Sequence, residues 1–154
     1  MDRKKVDIES LLEHDETVKI QPQGYSMYPL FIPGRDWAVV KKAECNKLKK
    51  GDVILYRSFL YSKEGSILVL HRICKIKNDE FYTVGDNQRD VEGPLKKEQI
   101  KGVLVMIERN GKHISVDHPF YVLMSRMWLF LRPARPAISK TVARLKRLAK
   151  KKWR

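Results

Sequence analysis

Residues 101–116 read KGVLVMIERNGKHISV, and this stretch decides the fold class. β-Branched and aliphatic residues are frequent in 101–109 and recur in 113–116, on either side of Asn110-Gly111. Asparagine followed by glycine is the strongest short signal for a β-hairpin, because the favoured two-residue turn needs left-handed backbone at both positions. The segment therefore predicts two antiparallel strands joined by a tight turn.

Strand-like composition continues on the N-terminal side of this hairpin. Residues that favour strands, often bounded by Gly or Asp, fill the stretches 17–20, 37–41, 53–56, 66–77 and 81–84. We therefore expect a mainly β fold, a largely antiparallel barrel or curved sandwich. A short helix is predicted before it, with Val6, Ile8, Leu11 and Leu12 on one face. The polar stretch 90–99 is predicted to be a loop.

The C-terminal part of the chain is first apolar and then basic. Residues 120–131 (FYVLMSRMWLFL) are too short to cross a bilayer, which takes about 20 apolar residues. After Pro133 and Pro136, residues 141–148 resume an amphipathic helical pattern. Residues 132–154 hold ten Lys or Arg and no acidic residue, within a formal net charge of +14. We interpret 119–154 as a helical tail that lies on an anionic membrane surface. A helix packed on the β domain and followed by a basic tail is an open alternative, and nucleic acid is a less favoured partner.

Length, cysteine content and the N-terminal residues exclude several classes of protein. The 154 residues suffice for one domain with a core, which we place at 1–118. Two cysteines are too few for a disulfide scaffold and four histidines lack zinc-binding spacing, so neither a metal nor a cofactor is expected. No apolar segment of signal-peptide length follows Arg3-Lys4-Lys5. We expect a protein that is cytoplasmic or peripheral at the membrane.

A serine lies in the short motif GYSMYP, residues 24–29, which the first predicted strand at 17–20 precedes. Gly24 permits a turn, and Pro29 prevents a long helix, so Ser26 is predicted on a tight turn with its hydroxyl presented at an edge. A serine hydroxyl needs a neighbouring base to become a nucleophile. His71 follows the apolar run 67–70, and an imidazole with an ordinary pKa near 6.5 suits that role.

The order of motifs resembles the serine peptidase superfamily of type I signal peptidases and the self-cleaving domain of the LexA repressor. Five parts follow one another as in that family: the serine motif at 24–29, a Gly-Asp turn at 34–36 that carries an inserted Arg35, Gly51-Asp52-Val53-Ile54, a strand with the base, and Gly85-Asp86-Asn87. Bacterial signal peptidases and LexA-like proteins carry lysine as the base. His71-Arg72 is similar to the Ser–His branch, the endoplasmic-reticulum and archaeal type. The family's usual transmembrane helix before the serine motif is not found in residues 1–16.

The resemblance implies a serine endopeptidase that cleaves a leader or pro-segment of a peptide or preprotein. Ser26 would be the nucleophile and His71 the general base, with the Ser26 backbone N–H in the oxyanion hole. Some relatives add a serine hydroxyl two positions before the nucleophile, where this chain has Gly24. Asp86 and Asp90 are equal candidates to orient the imidazole, with Glu92 as a fallback. Met27 and Tyr28 would line the substrate site or pack in the core, and the substrate would bind as an added strand.

Two other functions stay open from the sequence. A LexA-like self-cleaving domain needs a lysine base, and Lys75, on the same predicted strand as His71, lies about 13 Å further along it. A catalytically inactive module that binds a membrane or nucleic acid through the basic tail is the other alternative.

Overall fold

The predicted hairpin is confirmed, and its first strand lies inside the sheet. Asn110 and Gly111 have left-handed backbone, with φ of 50° and 74°. The computed structural model describes residues 8–14, 17–60 and 65–134. Its helices and strands are α1 Ile8–Glu13, β1 Val18–Ile20, β2 Asp36–Lys42, β3 Val53–Ser58, β4 Ile67–Lys77, β5 Glu80–Val84, β6 Glu92–Leu95, β7 Ile100–Arg109, β8 Lys112–Ser115 and α2 Pro119–Phe130. Short 3₁₀ turns lie at Cys45–Lys47, Lys97–Gln99 and Arg132–Ala134.

The strands form one antiparallel sheet that curls into a half-barrel. Its order is β1-β2-β7-β3-β4-β5-β6, and β8 pairs with the second half of β7. Every strand pair in the described residues is antiparallel. The mainly β fold predicted from composition is therefore confirmed.

Both faces of the sheet are apolar at its centre. Alternate residues of β3 point to opposite faces, so Val53 and Leu55 join one buried cluster and Ile54 and Tyr56 join another. The first cluster holds Met27, which follows the serine, and the second holds Ile73 of β4. The loop that carries Ser26 is thus anchored on one face by apolar burial.

The prediction of a loop over 90–99 is wrong in part. Strand β6 occupies Glu92–Leu95, and a 3₁₀ turn follows at Lys97–Gln99. The strand pairs with β5 at two positions, Phe81 with Leu95 and Thr83 with Glu92, with an irregular register between them. It lies at the edge of the sheet, where a proline such as Pro94 is tolerated. The buried Glu92 of this strand binds hydroxyl groups of β3, and the local composition of 90–99 gives no sign of these partners.

The two α-helices lie at the ends of the described chain. In α1, Leu12 is buried and Ile8 packs against the core, whereas Leu11 is exposed. Helix α2 begins at Pro119, with the His118 ring accepting the Phe120 N–H at 3.3 Å. None of the helices in the described residues has the length and apolarity that a bilayer crossing demands. Val6 and the amphipathic stretch 141–148 lie outside the described residues.

Candidate active site

Ser26 lies in the loop between β1 and β2, and two neighbouring segments hold that loop. Gly24 has φ of +79°, a left-handed backbone that favours glycine. The carbonyl oxygen of Ser26 accepts the Asn87 N–H at 2.7 Å. Gly85 passes so close that a Cβ there would lie 2.7 Å from the same oxygen. The Gly85-Asp86-Asn87 turn therefore contacts the backbone of Ser26 and helps to hold it in place.

The far end of the serine loop is tied to β2 by a buried carboxylate. Asp36 is fully buried and accepts hydrogen bonds from Arg35, Arg109 and the Ile32 N–H. Burial acts to raise the pKa of Asp36, but these donors outweigh burial and lower it to about 2. Arg109 also donates to the Leu30 carbonyl at 2.9 Å. The inserted arginine of the Gly-Asp turn thus helps to hold this carboxylate.

Ser26 and His71 line the same cavity, which has a volume of about 380 Å³. His71 lies on β4 opposite Ile54 of β3, and only 2% of its surface is exposed. Met27 and Gln88 also line the cavity. The structure therefore places the predicted nucleophile and the predicted base at one site.

The cavity lies between an edge of β4 and the segment that follows β1. Residues 67–71 of β4 pair with β3 on one side, and β5 pairs with β4 only from Arg72 onward. On the other side of the cavity, β1 pairs with β2 alone among the described strands. Residues 20–24 and 67–71 contribute to its walls. Backbone groups at unpaired edges are a template for an additional strand.

His71 is held by a tyrosine from the neighbouring strand. Its Nδ1 lies 3.1 Å from the Tyr56 hydroxyl. Burial lowers the pKa of His71 from 6.5 to about 4, and the negative charge of Asp86 acts in the opposite direction. The imidazole is therefore neutral at pH 7, the form that can accept a proton.

Asp86 binds an arginine with both carboxylate oxygens. Arg72 donates from Nε and Nη2 to the two oxygens, each at 2.8 Å, and both side chains are almost completely buried. Burial opposes the charge on Arg72, but Asp86 outweighs it and raises the pKa of the guanidinium. The Asp86 carbonyl also accepts the Trp128 indole N–H at 2.8 Å, which fastens α2 to this turn. Asp86 thus acts on His71 through its charge.

The other two acidic candidates have very different surroundings. Asp90 is exposed and does not line the cavity. Glu92 is buried on β6 and accepts the hydroxyls of Tyr56 and Ser58, each at 2.5 Å. The sequence pointed to Glu92 but not to Tyr56, whose hydroxyl connects Glu92 to His71. A tyrosine in a buried strand needs a hydrogen-bond partner for its hydroxyl. That requirement was the one sign in the sequence that Tyr56 would belong to a polar cluster.

The remaining predicted residues divide between the cavity and its surroundings. Met27 is 5% exposed and lines the cavity, whereas Tyr28 is 44% exposed and does not. Lys75, the base that a LexA-like domain would need, is exposed, with its Nζ above the Tyr82 ring. Gln88 presents a carboxamide whose buried oxygen has no hydrogen-bond partner in the part of the chain that is described. A further polar group is therefore available at the site beside Ser26.

Comparison of the chain with family models, with curated proteins and with solved structures gives no match.

Proposed function

We propose that this chain is a serine endopeptidase with Ser26 as nucleophile and His71 as general base. One observation carries the proposal: residues far apart in the sequence line one cavity, and one of them is a buried, neutral imidazole. A neutral imidazole is the state that a general base requires. The ordered motifs that resemble the Ser–His branch of the signal peptidase superfamily point to the same pair.

The proposed reaction proceeds through an acyl-enzyme. His71 takes the proton of the Ser26 hydroxyl while the oxygen attacks the scissile carbonyl carbon. The resulting imidazolium gives that proton to the leaving amine as the C–N bond breaks. Water then attacks the ester, with His71 again accepting a proton, and the carboxylate product leaves with Ser26 restored.

The oxyanion would be stabilised by backbone donors at the serine. No acceptor for the Ser26 N–H is found among the described residues, so this donor is available to a developing negative charge. Gly24 has no side chain that could donate a hydrogen bond to the oxyanion. A second donor is available in the Gln88 carboxamide, which lines the cavity and lacks a partner for its buried oxygen, because an amide group can turn its NH₂ toward the site.

An extended peptide is the substrate that the proposed site fits best. Its backbone would pair with the edge of β4 at 67–71, which no described strand covers on the cavity side, and would run along the segment 20–24 that follows β1. The walls are largely apolar, with Leu55, Leu70 and Met27 among them. We therefore propose an apolar leader or pro-segment, with alternate side chains in the cavity.

Labelling with a fluorophosphonate, a probe that phosphonylates activated serines with loss of fluoride, tests the proposal. Wild-type protein should form a covalent adduct at Ser26, and Ser26→Ala and His71→Ala should form none. Ser115→Ala and His113→Ala are matched controls on β8, both exposed and outside the cavity, and should label normally. An unlabelled wild type would support an inactive binding module. Spontaneous cleavage of the chain itself would support the LexA-like alternative.

We further propose that α2 and the basic residues after it associate with an anionic membrane surface. Four large apolar side chains on α2 are exposed, by 43–82%, and recur at helical spacing: Phe120, Leu123, Met127 and Phe130. The opposite side of the helix faces the domain through Tyr121 and Trp128. Ten basic and no acidic residues in 132–154 complement anionic lipids.

Flotation with vesicles tests this association. The chain should float with vesicles that contain phosphatidylserine and remain unbound with phosphatidylcholine alone. Replacing Phe120 and Phe130 together by serine should abolish flotation, whereas Ile76→Ser, an exposed apolar residue of β4, should not. Equal flotation of the double variant and the wild type would contradict the role of α2.

A further inference from the structure

Four polar side chains from four adjacent strands meet on one face of the sheet. Tyr56 of β3, His71 of β4, Thr83 of β5 and Glu92 of β6 are all 7% exposed or less. The strand register explains the meeting. Tyr56 lies opposite Val69, so His71, two residues further along, is its diagonal neighbour on the same face. Thr83 lies opposite both Ile73 and Glu92, which continues that face across the next two strands.

The hydrogen bonds in this cluster fix the direction in which each proton points. Both oxygens of Glu92 accept hydroxyls, one from Tyr56 and one from Ser58, each at 2.5 Å. Tyr56 therefore donates its single hydroxyl proton to Glu92.

The tautomer of His71 follows from this assignment. Since the Tyr56 proton points to Glu92, the tyrosine oxygen can only accept at the 3.1 Å contact with Nδ1 of His71. Thr83 donates a second hydrogen bond to the same oxygen at 3.1 Å. The neutral imidazole must then carry its proton on Nδ1, which leaves Nε2 unprotonated.

We propose that Tyr56 and Glu92 together are the positioning residues of the His71 base. The tyrosine hydroxyl holds the imidazole in the tautomer whose Nε2 can accept the Ser26 proton, and Glu92 holds the tyrosine. This role is the one that the sequence led us to expect of an aspartate bound directly to the histidine. The inference rests on the proposed peptidase function for its catalytic meaning, whereas the tautomer itself is independent of that function.

The tautomer is measured directly in the wild-type protein. In ¹⁵N NMR spectra of histidine-labelled protein at pH 7, with His71 assigned by comparison with His71→Asn, Nδ1 should be protonated and Nε2 not. A proton on Nε2 would overturn the proposal without any variant. This measurement does not depend on activity, so an absence of Ser26 labelling would count against the peptidase and not against the arrangement of protons.

Two variants test the consequence for the base. Tyr56→Phe keeps the ring and removes the hydroxyl. Glu92→Leu removes the acceptor, so that the tyrosine proton turns toward Nδ1 and His71 takes the opposite tautomer. In each variant the labelling rate at saturating fluorophosphonate should fall on the order of 10²-fold, since general-base catalysis contributes about 10²–10⁴-fold. The half-saturating probe concentration should not change.

Tyr82→Phe is the matched control, because the Tyr82 hydroxyl bonds Glu80 outside the cavity at 3.3 Å. It should keep the wild-type labelling rate. Thermal unfolding checks that each variant is folded. If Tyr56→Phe does not fold, Glu92→Leu and the wild-type spectrum still decide the question. A folded Tyr56→Phe or Glu92→Leu that retains the wild-type labelling rate and tautomer would overturn the proposal.

Discussion

Replacing Asp86 by asparagine tests whether this carboxylate serves Arg72 or His71. Arg72 and Asp86 have side-chain exposures of 1% and 0% and share two hydrogen bonds of 2.8 Å. Removing one partner of a buried pair leaves the other charge uncompensated, which costs about 3–5 kcal/mol. At about 2–4 °C per kcal/mol for a domain of this size, Tm should fall by roughly 10 °C.

The double variant Arg72→Met/Asp86→Asn separates the two roles. It removes both charges together, so no buried charge is left unpaired, and it should recover at least half of the lost stability. Because the pair carries no net charge, its removal changes the electrostatic potential at His71 less than removal of Asp86 alone. If Asp86 serves mainly as the counterion of Arg72, any loss of fluorophosphonate labelling at Ser26 in Asp86→Asn should therefore be reversed in the double variant as well.

The assays are urea unfolding and the rate of Ser26 labelling, measured on the same samples. Asp79→Asn is the control, because its ion pair with Lys97 is exposed and its loss should cost under about 1 kcal/mol. An Asp86→Asn variant as stable as the wild type would refute the argument from the buried pair. Recovery of stability without recovery of labelling would instead assign Asp86 to the orientation of His71.

Two further predictions follow from the burial of His71 and from the packing at Gly85. As pH falls from 6.5 to about 4, the unfolded chain binds a proton at His71 that the folded chain does not bind, because burial lowers its folded pKa to about 4. The free energy of unfolding should lose about 3 kcal/mol over this range. Urea unfolding should show this loss in the wild type and not in His71→Asn, and an identical pH dependence would contradict it. Gly85→Ala would place Cβ 2.6 Å from Gln88 Oε1 and 2.7 Å from the Ser26 carbonyl oxygen, and should slow labelling by about 10²-fold through misplacement of both residues. Gly102→Ala, with Cβ 2.4 Å from Val40 Cγ1, should lower stability and leave labelling by the folded protein unchanged, and equal labelling rates in the two variants would refute the role of Gly85.

Local sequence sufficed for most of the sheet. The Asn110-Gly111 hairpin and the strands before it were predicted because their composition and turn residues are local signals. Strand β6 was missed for a physical reason. Its few residues are Glu92-Gly93-Pro94-Leu95, a composition typical of a loop, and the buried carboxyl group of Glu92 is satisfied by hydroxyls from β3. Pairing of that kind depends on the folded sheet and has no local signature.

For the site, the sequence predicted only those residues that the order of the motifs identifies, because the order of motifs does not show which side chains are in contact. Ser26 and His71 were named together from the order of the motifs, and they line one cavity. The same reasoning placed an aspartate next to the histidine, because Asp86 and Asp90 follow the expected turn. It could not predict that the two oxygens of Asp86 would bind Arg72, on the opposite face of β4 from His71. Which residues face one another across four strands depends on register.

A tyrosine in the place of a carboxylate has a consequence for the base. A carboxylate in contact with Nδ1 would stabilise the imidazolium and raise the pKa of His71. Here Nδ1 contacts the Tyr56 hydroxyl, and the Glu92 carboxyl group lies one hydrogen bond further away. Burial therefore outweighs the attraction of Asp86, and the pKa of His71 stays at about 4. Such a base is fully available at neutral pH but accepts the serine proton with less driving force than one with a pKa near 7. If Ser26 and His71 act as proposed, the reaction would depend more heavily on stabilisation of the oxyanion, and the donors beside Ser26 would be as important to it as His71 itself.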